Sequence, residues 1–155
     1  MRKLILLATH VMALVAGFAL GVYLLPILTA PKGPSTTELR TAADAAVYKG
    51  TFRRDQVGSD LLHWGEGNVA IAKDRISHQG RLAPGPDYKL YLLSGYVDTR
   101  QGFLAVKKNA VRVGDVKTFD GFVVEVPPGV DVAAYDTVLI WCEAFSQFIT
   151  SAKYR

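Results

Sequence analysis

From Leu4 to Leu28 the chain reads LILLATHVMALVAGFALGVYLLPIL, an apolar run without one formally charged side chain. As a helix rising about 1.5 Å per residue it reaches roughly 37 Å, enough to cross a hydrocarbon layer of about 30 Å with some tilt. That run fixes what the rest of the chain can be. A secretory signal has a shorter apolar core followed by a small-residue cleavage site. Ala19-Leu20-Gly21 offers such a site, yet VYLLPIL continues apolar past it, and Ala30 is followed by Pro31, a poor residue after a scissile bond. An uncleaved anchor over residues 1–30 is the preferred reading, with a cleaved signal as the alternative.

Orientation follows from the basic residues. Arg2, Lys3 and the α-amino group precede the run, and only Lys32 lies close behind it. The positive-inside rule then leaves the N-terminus in the cytoplasm and exports everything after Pro31, into the periplasm if the cell is bacterial. Within the run, Thr9, Ala13, Gly17 and Gly21 recur every four residues, a small-residue stripe through which two helices can approach, so a homodimer is one expected assembly. His10 is the only titratable side chain of the span; lying under two turns from the cytosolic end, it is read as a neutral residue reaching the interface.

Residues 31–46 read as a linker. Pro31, Gly33 and Pro34 break the first helix, and Ser35 or Thr36 can cap a short second one through Ala46. Residues 47–155 are left as one domain, large enough for a single core. Sixteen of the eighteen basic and all fourteen acidic residues lie beyond residue 30, a net of +2, and the basic ones are scattered. Nucleic acid is therefore not an expected partner. The membrane is.

Period-two alternation dominates the domain. LYLLSGYV, GFVVEV and TVLIWCEAFSQFI are β-branched and aromatic, punctuated by GEGN, APGPD, SGYVDT and VPPGVD. No stretch between them has the length or period of a helix, so the expected fold is an all-β antiparallel sandwich of about eight to ten short strands. Asp87, Asp98, Asp115, Asp120, Asp131 and Asp136 are all expected at turns, where the side chain stabilises the bend. None is read as catalytic.

Cys142 is the only cysteine. An exported odd cysteine is a linker between chains, a reactive or ligating thiol, or a small buried apolar residue. In TVLIWCEAF, Val138, Ile140 and Cys142 share one strand face while Leu139, Trp141 and Glu143 share the other, which points the sulfur inward. With the strand ending near Glu143, that sulfur lies close to a rim. His63 and His78 have no CxxC, HExxH or carboxylate cluster around them, so no metal site is expected. A nucleophile elbow, a phosphate loop and a dinucleotide fingerprint are absent, and the chain is not read as a stand-alone enzyme.

The order Gly50-Thr51-Phe52, His63-Trp64-Gly65-Glu66-Gly67, GPDYKLYL from Gly85 to Leu92, Gly114-Asp115-Val116-Lys117, and Tyr135-Asp136 running into VLIWCEAFSQF resembles the DM-thirteen domain, an electron-transfer domain found beside DOMON and cytochrome-b-type modules. The resemblance covers about residues 47–154. The segment GFLAVKKNAVRV is longer than the family pattern. What the resemblance implies is that Cys142 falls on a cysteine proposed for redox chemistry, as a free thiol or as a ligand to haem. It also implies a redox partner protein, with Trp141, Phe145 and His63 as the residues expected beside a cofactor. The competing expectation is a binding or structural module in which Cys142 is only packed.

Overall fold

The computed structural model describes residues 1–155. Helix α1 spans Arg2–Thr29 with none of its residues buried. Inside it the His10 ring lies 2.7 Å from the Leu6 carbonyl, and a Cβ added at Gly17 or Gly21 would meet nothing within 4 Å. Helix α2, Thr36–Asp44, starts where Ser35 places its hydroxyl on the Glu38 amide and Glu38 returns its carboxylate to the Ser35 amide, a reciprocal cap. Its apolar side, Leu39 and Ala42, is buried against the domain. The free part of the linker is thereby shortened to residues 30–35.

Eight strands follow: β1 (Tyr48–Phe52), β2 (Gly65–Ile71), β3 (Arg75–Leu82), β4 (Tyr88–Leu93), β5 (Val111–Val116), β6 (Phe122–Glu125), β7 (Thr137–Cys142) and β8 (Gln147–Lys153). They form two four-stranded sheets, β1-β2-β3-β6 and β5-β4-β7-β8, with every pairing antiparallel. This is the expected sandwich. One core lies between the sheets and takes Val69, Ile71 and Ile76 from the first, Leu90, Leu92, Val138 and Ile140 from the second.

Three expectations are corrected. The segment GFLAVKKNAVRV carries helix α3, Arg100–Val106, and a 3-10 turn, Lys107–Asn109. Thr99 caps α3 through the Gly102 amide, and Phe103 drops onto the outer face of the second sheet, where Tyr91, Leu93, Leu139, Trp141 and Phe148 form a second core. Hence β7 is buried on both faces. GEGN, in turn, lies inside β2 rather than at a turn. Gly67 adopts φ 119° opposite Gly80 of β3, where a Cβ would meet the Gln79 carbonyl at 2.4 Å. Asp115 likewise sits within β5, paired to Lys89 and Arg112, and not at a turn.

Candidate functional site around Cys142

Cys142 is the last residue of β7, opposite Tyr88 of β4 and Gln147 of β8. One residue earlier the β7–β8 register slips between Ile140 and Trp141, a bulge of the kind that re-aims side chains beside sites. The four-residue turn Glu143–Ser146 closes with Ser146 at φ 50°. Four contacts hold this turn. The Glu143 amide donates to the Asp87 carbonyl at 2.9 Å, Arg100 Nε donates to the Ser146 carbonyl at 2.7 Å, and the Glu143 carboxylate accepts from Lys107 Nζ at 2.6 Å and from the Tyr91 hydroxyl. Burial pushes the Glu143 carboxyl up, but Lys107 and Tyr91 outweigh it and keep it below its ordinary range.

The sulfur belongs to the inter-sheet core, with Cys142 only 2% exposed. Burial raises its pKa above the ordinary thiol value, opposed by the backbone N–H groups of Phe145, Asp87 and Ala144. The sulfur is thus a shielded thiol whose pKa is held up by burial.

One side of this position opens into an apolar groove of about 630 Å³, walled on the domain by Leu62, His63, Pro84, Pro86, Tyr88, Cys142 and Phe145 and on the other side by residues from Ala16 to Tyr23 of α1. The fold therefore brings Cys142, Phe145 and His63 to one place. Trp141 is not there: alternation along β7 sends it to the outer face, against Phe103, with Lys107 5.4 Å from its ring centroid and its buried indole N–H facing the Glu143 carboxylate without a well-formed hydrogen bond. His63 is engaged by its own loop, its Nδ1 2.8 Å from Asp60 Oδ2 and its amide 2.8 Å from Asp60 Oδ1. No three His, Cys, Asp or Glu residues come together as a metal-holding group.

Tyr88, Leu62 and the two prolines were not picked out as site residues from sequence. GPDYKLYL carries Pro86 and Tyr88, so part of that wall was inside the motif that carries the resemblance. Leu61-Leu62 was visible only as an apolar pair in a polar stretch.

The sandwich and its rim cysteine define an all-β domain built around one shielded thiol. The family model described as Electron transfer DM13 matches residues 56–154, and the chain belongs to that family of electron-transfer domains. No curated protein and no solved structure matches the chain.

Proposed function

We propose that the chain is a membrane-tethered, extracytoplasmic electron-transfer accessory in which Cys142 is the redox group. The family supplies the general electron-transfer role. The observation that carries the finer reading is the sulfur's setting: a lone thiol at a strand end, on the wall of an apolar groove. The length and composition of α1 support the tether. In this reading a small peroxide-type oxidant transfers an oxygen to the Cys142 thiolate, its O–O bond breaking to release an alcohol or water, and two small-molecule thiols return the sulfenic acid to thiol, the first displacing water to form a mixed disulfide and the second cleaving it to leave their own disulfide.

Haem is the family's other implied option. The residues as arranged do not fit it: iron needs an open face on Sγ, and Cys142 is nearly sealed within the inter-sheet core. His63, the nearest second ligand on the groove wall, already faces Asp60. A free thiol needs only a small reagent to enter.

Peroxide treatment of the full chain, followed by a sulfenic-acid trap, is expected to label Cys142 and to leave Cys142→Ala unlabelled. An unlabelled wild type that instead gains a Cys142-dependent Soret band on haem addition would replace thiol chemistry with ligation. An unlabelled, colourless protein would leave Cys142 as packing.

Alkylation of folded protein is expected to be slow and to accelerate only above the pH at which ordinary thiols ionise, since burial holds the proton on sulfur. Air oxidation should yield no disulfide-linked dimer, because another chain's Cα cannot come within about 7 Å of a sealed strand end. A dimer band on a non-reducing gel that vanishes in Cys142→Ser would reassign the thiol as an interchain linker.

A further inference from the structure

The rim around Cys142 carries apolar side chains that the domain itself does not cover. Leu61 is 90% exposed, Leu62 60% and Phe145 48%. They are presented on built loops. Asp60 accepts the Leu62 and His63 amides at 2.7 and 2.8 Å, and Gln56 ties the same loop to β8 through the Ser151 carbonyl at 2.8 Å and the Thr150 hydroxyl at 2.8 Å. Phe145 stands on the turn that Arg100 and Glu143 hold. Leucines held out in this way on a fixed loop mark a contact surface.

What covers that surface follows from the chain's path. The groove at Cys142 and the neighbouring one formed by Pro86, Ala144 and Phe145 are both completed by α1, and the exit of α1, Pro26 to Pro31, runs beside Gly85–Lys89 and Val116–Phe119. Only residues 30–35 separate α1 from the docked α2. Six residues span at most about 20 Å. On the reading that α1 crosses the bilayer, a link this short holds the end of the sandwich beside the α1 exit at the lipid surface. At this edge Asp87 is paired with Lys89 and Asp60 lies 2.8 Å from the His63 ring, while the basic side chains of Arg54 and Arg100 are exposed to solvent.

We infer that Leu61, Leu62 and Phe145 form a membrane-docking rim that enters the headgroup region of the bilayer, so that the groove at Cys142 opens toward lipid. Exposed apolar residues beside basic ones are the composition that binds an anionic interface, with the apolar side burying about 5–10 Å. Reagents would then reach the sulfur by way of the membrane surface, which favours lipophilic oxidants over water-borne ones.

The test uses the full chain, one copy per nanodisc of phosphatidylcholine and phosphatidylglycerol, observed by methyl and aromatic NMR with nitroxide lipids. A headgroup nitroxide is expected to broaden Leu61, Leu62 and Phe145 while leaving Val47, at the opposite end of the sandwich, sharp. Leu61→Ser/Leu62→Ser/Phe145→Ser should sharpen what remains of the rim without moving the signals of buried Trp141. If an acyl-chain nitroxide broadens Leu14 of α1 but the headgroup label spares Leu61 and Leu62, the rim proposal is wrong and the anchor stands. If neither label has an effect, the anchor reading falls and takes the rim with it. Rim signals that shift only in discs holding two chains, with the headgroup label still without effect, would assign the surface to a second copy and overturn lipid docking.

Discussion

Lowering the pH from 6.5 to 4 is expected to cost this domain about 3 kcal/mol through His78 alone. His78 is fully buried, its ring between Phe52 and Phe122 at 5.2 and 5.1 Å, and its Nε2–H donates to the Glu66 carbonyl at 3.0 Å. That leaves Nδ1 as a buried nitrogen with no partner. A second proton would have to sit there, on a cation in an apolar slot without an acceptor. Burial accordingly lowers the pKa to about 4, against 6.5 for an ordinary histidine, with the Glu66 carbonyl opposing in part.

The sign follows from proton counts. Between the two values the unfolded chain binds a proton that the folded one refuses, so stability falls as pH drops through this window and is fully present above 6.5. Denaturant midpoints at pH 7 and pH 4.5 should differ markedly for the wild type and much less for His78→Leu. Parallel curves for the two proteins would show that His78 is not the group responsible. Carboxylates contribute too, but mostly below the window's lower end.

The second large effect is expected at Gly67→Ala. At φ 119° a side chain is strained, by about 1–3 kcal/mol, whatever the space around it. Here there is no space either, because the added Cβ would meet the Gln79 carbonyl at 2.4 Å and the Gly80 Cα at 2.6 Å. Overpacking against backbone adds about 1–3 kcal/mol. Since small domains are stable by only about 5–15 kcal/mol, the variant should unfold at far lower denaturant. Gly95→Ala is the control: a Cβ there meets nothing within 4 Å, and its midpoint should stay within about 0.5 kcal/mol of wild type. Equal midpoints for both variants would mean that β2 and β3 adjust freely at Gly67.

How far sequence reasoning reached can be seen at β7. Alternation alone placed Val138, Ile140 and Cys142 on one face and Leu139 and Trp141 on the other, and the two cores divide them that way. Alternation carries no information about what lies above the second face. Helix α3 was missed because its seven residues are too short for a 3.6-residue period to register, and its stability comes from the Thr99 cap and from Phe103 packing on Trp141. GEGN was read as punctuation because glycine breaks strands on average; its actual reason is a close approach across two strands, invisible without the partner Gly80. The groove wall was unreadable for a related cause. His63 and Leu62 reach Cys142 because Gln56 is fastened to Thr150 and Ser151, residues 94 and 95 positions away, and no local pattern encodes that bond.

That same fastening sets a biosynthetic timetable. Gln56 emerges well before its anchors Thr150 and Ser151, 94 and 95 residues behind it, so loop and rim have nothing to close upon until that later segment has left the ribosome. Contacts of such long sequence separation also form late in folding. Until β8 zips onto β7, Cys142 stays open. The newborn protein, rather than the mature one, is then the form in which this thiol is most vulnerable to stray oxidation or to capture by another chain's cysteine.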